Sequence, residues 1–107
     1  NIGTTASISE NIIAPEFFSL LQNFPNPFNP ETTIEYNINY DGIVTITIFN
    51  TKGELIKKID HGNRRTGFHN YKWKGHDNSN EIIPTGVYLY TVESSGSVKS
   101  GKMLMIK

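Results

Sequence analysis

The chain has 107 residues, ten basic and ten acidic side chains, and no cysteine. This length fits one domain, and 36% hydrophobic residues with 11% aromatic residues are typical of a folded chain. The balanced charge argues against nucleic acid as a partner, and the absence of cysteine excludes disulfides and thiolate metal sites. No apolar run is long enough to span a bilayer, so we expect no membrane-spanning segment.

The first element is a lead-in. Residues 1–16 are small and polar around Ile12 and Ile13, and they predict a linker. Together with Ile8, these two isoleucines could instead form a short added strand. The lead-in shows no signal-peptide pattern, and we expect the chain to be part of a longer protein. The folded domain is predicted over residues 17–107.

From residue 17 onward, apolar and polar residues alternate in short runs that are separated by turn residues, which is typical of β-strands. We predict about seven strands, at residues 17–24, 32–39, 43–50, 54–60, 68–75, 86–94 and 97–107. No segment shows a helical period. Short strands without helical connections predict an all-β fold, most simply an immunoglobulin-like antiparallel β-sandwich.

The alternation also predicts the core and the turns. The predicted core consists of Ile34, Tyr36, Val44, Ile46, Ile48, Leu55, Ile59, Tyr71, Trp73, Val87, Leu89 and part of Met103–Ile106. Turns are predicted at Tyr40–Gly42, where Asp41 would bond its own backbone, at Thr51–Gly53, at His61–Asn63 and at Ser95–Gly96.

Between the first two strands lies the sequence FPNPFNP, with prolines at Pro25, Pro27 and Pro30. Proline has no amide to donate to a sheet, and it restricts the preceding residue to extended geometry. We therefore predict a stiff, extended crossing between these strands. Its asparagines, Asn26 and Asn29, would bond nearby backbone, and Phe24 and Phe28 would anchor it to the sandwich edge.

Residues that carry chemistry are scattered. The spacing of His61, His69 and His76 matches no metal motif, and residues 77–81 lack the glycine and the distant glutamate of a calcium loop. There is no nucleophile elbow, phosphate loop or paired carboxylate. We expect no metal, no cofactor and no enzymatic activity.

Aromatic residues raise the possibility of sugar binding. Tyr71, Trp73, Tyr88 and Tyr90 could form a platform for a carbohydrate. Core packing is the better default for Trp73, whereas Tyr88 and Tyr90 share one strand face and could be exposed as a pair.

The C-terminal KSGKMLMIK places Lys99, Lys102 and Lys107 around an apolar run. This pattern is typical of an edge strand whose lysines oppose aggregation. It also suits capture by another protein through strand addition. The residues themselves leave both interpretations open.

Three stretches together resemble a known family: LLQNFPNPFNPETTIEYNI, IFNTKGELIKKI, and the whole segment from Gly67 to Lys107. They are similar to the C-terminal sorting domains of the type IX (Por) secretion system. Those domains are related to the immunoglobulin-like domain of flagellar hook-cap scaffold proteins. The resemblance covers residues 17–107 and departs from the family's pattern at Lys74 and Asn80.

The resemblance implies a non-catalytic module that carries an upstream cargo domain through the periplasm to the cell surface. Its partners would be outer-membrane secretion proteins and a sortase-like protein. The matched structural motif is Pro25, Asn26, Pro27, Phe28, Asn29, Pro30, Gly53, Trp73 and Gly75. Partner recognition is assigned to Gly86, Tyr88, Gly101, Lys102 and Lys107. Two alternatives remain: a fibre or adhesin subunit that self-associates by strand addition, and a carbohydrate-binding accessory domain.

Overall fold

The computed structural model describes residues 18–106. The predictions for the lead-in 1–16, for Phe17 and for Lys107 lie outside the described residues. Within residues 18–106, seven strands follow one another in chain order: β1 Phe18–Phe24, β2 Thr32–Ile38, β3 Gly42–Asn50, β4 Leu55–Arg64, β5 Gly67–Trp73, β6 Gly86–Ser94 and β7 Ser97–Met105.

The strands form two antiparallel sheets. One sheet has the order β1-β2-β5, and the other has the order β4-β3-β6-β7. The described residues contain no helix, and so none that could span a membrane. The prediction of an all-β, immunoglobulin-like sandwich is confirmed.

The core lies between the two sheets. Strand β2 alternates strictly, with Ile34, Tyr36 and Ile38 buried, and β3 does the same with Val44, Ile46 and Ile48. The other buried hydrophobic residues are Phe28, Ile59, Trp73, Ile83, Tyr88, Tyr90, Val92, Met103 and Met105. Burying one such side chain stabilises the fold by about 1.5–3 kcal/mol.

Strand β6 faces the opposite way from our prediction. Val87 and Leu89 are 40% and 41% exposed, whereas Tyr88 and Tyr90 are 5% and 2% exposed. Each tyrosine hydroxyl donates a hydrogen bond, from Tyr88 to the Pro84 carbonyl and from Tyr90 to Asn23 Oδ1. A buried hydroxyl that has a hydrogen-bond partner costs little free energy, so the larger tyrosine rings fill the core in place of Val87 and Leu89.

Strand β4 also differs from the prediction. Leu55 was expected in the core but is 52% exposed, because a register shift between Ile48 and Phe49 leaves Ile56 to pack against the core. The turn expected at His61–Asn63 is absent. The strand continues to Arg64 through a second register shift opposite Val44 and Thr45.

Two loops are fixed by aspartates. Asp41 does not bond its own backbone as predicted; it accepts hydrogen bonds from the amide and hydroxyl of Thr66 at 2.8 and 3.0 Å. These bonds lower the pKa of the Asp41 carboxyl. In the loop after β5, the Asp77 carboxylate accepts from the amides of Ser79 and Glu81, which makes residues 77–81 a turn, as the sequence favoured.

An asparagine from this second loop covers the β4 edge of the four-stranded sheet. The Asn78 amide donates to the Ile56 carbonyl at 3.0 Å, and its side-chain oxygen accepts from the Lys58 amide at 3.3 Å. Asn78 thus occupies backbone groups that an added strand would need.

Candidate functional site

The proline segment (residues 25–30) is a loop that leaves one sheet and binds the other. It connects β1 to β2, which are neighbours in the same sheet, and it bends instead of running extended as predicted. The Phe28 amide donates to the Leu104 carbonyl at 2.9 Å, and the Ile106 amide donates to the Phe28 carbonyl at 2.8 Å. The segment therefore adds a one-residue parallel bridge to the outer edge of β7.

Phe28 anchors this loop. Its ring is 2% exposed and lies 5.7 Å from the Trp73 ring, centroid to centroid. Phe24 was predicted as a second anchor, but it is 73% exposed and does not serve as one. The loop also packs on Gly75, where a Cβ atom would lie 2.6 Å from the Pro30 carbonyl oxygen. Only glycine allows this approach.

Asn26 completes the attachment of the proline segment. Its side-chain amide donates to the Lys102 carbonyl at 3.2 Å, and its side-chain oxygen accepts from the Leu104 amide at 3.0 Å. One side chain thus supplies the donor and acceptor that a neighbouring strand would offer to β7. The backbone groups of Lys102 and Leu104 in β7, and of Ile106 just after it, are thus bonded from within the chain.

A buried polar network supports the proline segment from behind. The Thr32 hydroxyl donates to the Pro25 carbonyl at 2.8 Å, and Asn23 Nδ2 donates to Thr32 Oγ1 at 3.2 Å. Asn23 Oδ1 accepts from Asn26 and from the Tyr90 hydroxyl. Burial raises the pKa of Tyr90 to about 12, so its hydroxyl remains a donor at neutral pH.

Gly101 lies opposite Tyr90 in the β6–β7 register. A Cβ atom on Gly101 would lie 2.5 Å from the Tyr90 ring carbon Cζ and 2.6 Å from its hydroxyl oxygen. The absence of a side chain at Gly101 lets the Tyr90 ring cross β7 and reach Asn23.

An exposed groove lies beside this attachment, which we call the edge groove. It measures about 210 Å³ and is lined by Asn26, Val87, Lys102, Met103 and Leu104. Its walls are aliphatic, since Val87 and Leu104 are 40% and 36% exposed. The Lys102 side chain gives it a single positive charge. Apolar walls with one charged group are typical of a recognition surface.

The predicted partner-recognition residues do not lie together on one surface. Lys102 lines the edge groove, Gly101 lies behind it against Tyr90, and Gly86 pairs with Met105 at the end of the sheet. Tyr88 is buried, so its ring is not displayed to a partner, and the exposed tyrosine pair expected for sugar binding is absent.

Most of the predicted structural motif converges on the proline segment. Phe28, Pro30, Trp73 and Gly75 pack together, and Asn26 reaches β7. Asn29 is exposed. Gly53 lies in the turn between β3 and β4, where its amide donates to the Asn50 carbonyl.

No metal centre emerges among residues 18–106, where no three histidine, aspartate or glutamate side chains converge. His61 instead joins the two sheets through its Nδ1, which lies 2.7 Å from the Tyr36 hydroxyl. Burial, with Arg64 and His69 nearby, lowers the pKa of His61, and burial raises the pKa of Tyr36 to about 12. This pair is a structural contact.

Comparison with known proteins identifies the family of this chain. Residues 31–97 match the FlgD Ig-like domain family. This chain belongs to that family. The match runs from the end of the proline segment to the start of β7, so it includes the buried Trp73 and the whole of β6.

Three solved structures share the fold of this FlgD Ig-like domain. FlgD from Pseudomonas aeruginosa is 22% identical over 69% of this chain and 59% of that chain, with a TM-score of 0.59. PorU from Porphyromonas gingivalis is 23% identical over 91% of this chain and 10% of PorU, with a TM-score of 0.69. PorZ from the same organism is a surface component of the type-IX secretion system. It is 21% identical over 81% of this chain and 11% of PorZ, with a TM-score of 0.60.

This domain spans about a tenth of PorU and PorZ and 59% of that FlgD. No curated protein sequence matches it.

Four buried residues of this FlgD Ig-like domain support the site but were not predicted from the sequence: Asn23, Thr32, Tyr90 and Ile83, whose amide donates to the Gly75 carbonyl. A polar residue on a strand face gives no signal that it is buried. A signal was available for Tyr90, because a glycine inside a strand indicates that something approaches it closely. Gly101 is such a glycine, although its partner could not be read from the sequence.

Proposed function

We propose that this FlgD Ig-like domain is a non-catalytic sorting and anchoring module. In this proposal, the outer-membrane machinery of a type IX secretion system recognises it at the edge groove. The domain carries an upstream cargo domain through the periplasm to the cell surface, where a sortase-like protein acts on the fusion.

One observation carries this proposal. Asn26 and Lys102 come from opposite ends of the domain, and the sequence resemblance assigned them to different roles, yet they line one exposed groove. The hydrogen bond from Asn26 to the Lys102 carbonyl holds these two parts of the chain in register. The resemblance to type IX sorting domains and the PorU and PorZ folds support the biological setting.

The occupied edge of β7 changes the mechanism expected from the sequence. Asn26 and Phe28 already bond the outward backbone groups of residues 102–106, so strand addition there would require their displacement. We therefore assign recognition to side chains. In this proposal, an apolar side chain of the partner packs on Val87 and Leu104, and a partner carboxylate pairs with Lys102.

The experiment uses residues 17–107 fused to a periplasmic reporter in a type IX-competent bacterium. Deleting Lys102–Lys107 would be uninformative, because it removes the buried Met103 and Met105. The point variant Lys102→Glu instead reverses the groove's charge. We expect export to fall about tenfold, since an interface charge reversal changes attraction into repulsion.

The matched control is Lys58→Glu, because Lys58 is an exposed lysine on β4, at the other edge of the same sheet. Thermal unfolding of each purified domain checks that both variants fold. Recognition at the groove is supported if export falls for Lys102→Glu and stays at the unsubstituted level for Lys58→Glu. Export of Lys102→Glu at that same level contradicts it.

A second candidate function is a structural subunit of a surface fibre. It is favoured by an exposed apolar strip on the outer face of the four-stranded sheet, formed by Leu55, Val87, Leu89 and Leu104. Self-association through this face would produce dimers or larger species in sedimentation velocity at high concentration. A strict monomer removes this candidate.

A further inference from the structure

Charge is segregated in this neutral chain. Residues 56–76 contain six of the ten lysines and arginines and one of the ten carboxylate side chains, a net charge of +5. They also contain all three histidines. This stretch comprises most of β4 and all of β5.

The two strands bring part of this charge to one seam. Among the described strands, β4 and β5 are edge strands of different sheets, and a connection of two residues joins them. They meet where the His61 and Tyr71 rings lie 5.4 Å apart in an edge-on contact. At the end of the seam near Trp73 is an open pocket of about 250 Å³, lined by Lys57, Tyr71, Lys72, Trp73, Lys74, His76 and Asn80.

None of the described residues that line this pocket carries a carboxylate. Within residues 18–106, neither Lys57 nor Lys74 makes an ion pair. Lys72 lies 3.9 Å from a Glu31 carboxylate oxygen, with both side chains largely exposed, and such a pair contributes little. The pocket therefore presents uncompensated positive charge to an incoming anion.

The pocket also has a neutral side. Tyr71 is half-buried and forms part of its wall, and Asn80 contributes an exposed side-chain amide. The Trp73 indole nitrogen donates to the His76 carbonyl at 2.9 Å, so it is already used, and the ring is 2% exposed. An aromatic wall beside an amide suits a ligand with both C–H faces and hydroxyl groups.

An extended acidic peptide fits this seam poorly. Asn78 already bonds the outward carbonyl of Ile56 and the amide of Lys58, so a peptide strand cannot pair with β4 beside Lys57. A compact ligand needs no such pairing.

We infer that this pocket binds a saccharide unit that carries a carboxylate or phosphate group. The sugar ring packs on Tyr71, a hydroxyl bonds the Asn80 amide, and the anionic group lies between Lys57 and Lys74. This site is separate from the edge groove, which lies at β7, at the other edge of the four-stranded sheet.

The test is an NMR titration of the isotope-labelled chain, residues 1–107. The probes are glucuronate and a hexose phosphate, compared with the neutral hexose, inorganic phosphate and glutarate. We expect saturable shifts at Asn80, at Tyr71 and at the Trp73 indole N–H with the two anionic sugars. Weaker binding of every comparison compound is expected, because each lacks either the ring or the charge.

The variant Lys57→Gln/Lys74→Gln removes the two uncompensated charges. We expect it to bind anionic sugars about tenfold or more weakly, since charge-assisted hydrogen bonds are the stronger kind. The matched control Lys52→Gln/Lys58→Gln loses the same charge at exposed positions outside the pocket. Thermal unfolding of both variants shows whether they fold.

Each outcome decides the inference. Selective binding of the anionic sugars that is lost only in the pocket variant supports it. Equal binding of inorganic phosphate or glutarate contradicts the saccharide assignment, and equal loss in the control variant contradicts the location. Absence of shifts with both anionic sugars at millimolar concentration overturns the inference.

Discussion

Asn26 shows how one side chain can replace part of a strand. Its amide and carbonyl bond the Lys102 carbonyl and the Leu104 amide, and it also donates to Asn23. We expect Asn26→Ala to lower the free energy of unfolding by about 1–3 kcal/mol, because each lost hydrogen bond contributes about 1 kcal/mol. Urea denaturation measures this change.

Asn29 provides the control for that prediction. It lies in the same proline segment, but it is exposed and does not join the Asn26 network. Asn29→Ala should change stability by no more than about 0.5 kcal/mol. If the two variants were equally stable, the attachment of the proline segment through Asn26 would be refuted.

His61 makes the stability of the domain depend on pH. Burial, Arg64 and His69 lower its pKa below the ordinary value of 6.5, and the Tyr36 hydroxyl and the Tyr71 ring contact it. The unfolded chain therefore binds a proton more readily than the folded domain. Its contribution to stability is constant above 6.5 and is lost as the pH falls from that value through the folded pKa.

The measurement is urea denaturation at several pH values between about 7.5 and 5. We expect the unfolding free energy to fall over this range, and to fall less in His61→Gln. Glutamine keeps an amide that can meet the Tyr36 hydroxyl and does not titrate. A variant with the same pH slope as the unsubstituted domain would show that His61 is not responsible.

Residue identity alone could not decide which face of β6 is buried. Val87 and Leu89 alternate with Tyr88, Tyr90 and Val92, so both faces of the strand are apolar. The hydrophobic period predicted the strand, but which face is buried depends on contacts that the period does not show, such as the bond from Tyr90 to Asn23, 67 residues away in sequence. The Tyr90 and Tyr88 hydroxyl groups donate to Asn23 Oδ1 and to the Pro84 carbonyl, and no local sequence pattern predicts these two acceptors.

At the scale of elements, Gly101 couples β7 to β6 and to the proline segment. A methyl group there would collide with the Tyr90 ring, which must move and lose its bond to Asn23. We expect Gly101→Ala to cost about 1–3 kcal/mol, as overpacking does. Chemical denaturation provides the measurement.

A double-mutant cycle with Tyr90→Leu isolates the cause. With the ring removed, Gly101→Ala should cost much less, giving a coupling free energy of about 1 kcal/mol or more. Additive effects of the two substitutions would mean that Gly101 is required for a reason other than the Tyr90 ring.

The order and bounds of the strands were the most predictable part of the fold. Strand β6 was predicted at 86–94 and lies at Gly86–Ser94, and β2 differs by one residue at its end. Strand β4 was predicted less well, because its bulges interrupt the period of two by which a strand is recognised in a sequence. The proline segment was correctly placed as a break, but its path to β7 depends on contacts across 76 residues of sequence.

At the scale of the molecule, asparagines from loops cover part of each edge of the four-stranded sheet. Asn78 covers β4, and Asn26 with Phe28 covers part of β7. Closed edges oppose unwanted strand addition, which suits a domain proposed to pass through a crowded periplasm. In our proposals, side chains carry the recognition, at the edge groove beside β7 and at the pocket lined by Lys57, Tyr71 and Lys74 beside β4.

Photo-crosslinking in living cells tests the proposed recognition surface most directly. A photoreactive amino acid replaces Val87 in the groove or, as the control, Phe68, which is 73% exposed on β5 of the other sheet. We predict that the Val87 probe captures an outer-membrane protein of the secretion system and that the Phe68 probe does not. Normal export with no adduct at Val87, or with equal capture at both positions, would contradict recognition at the edge groove.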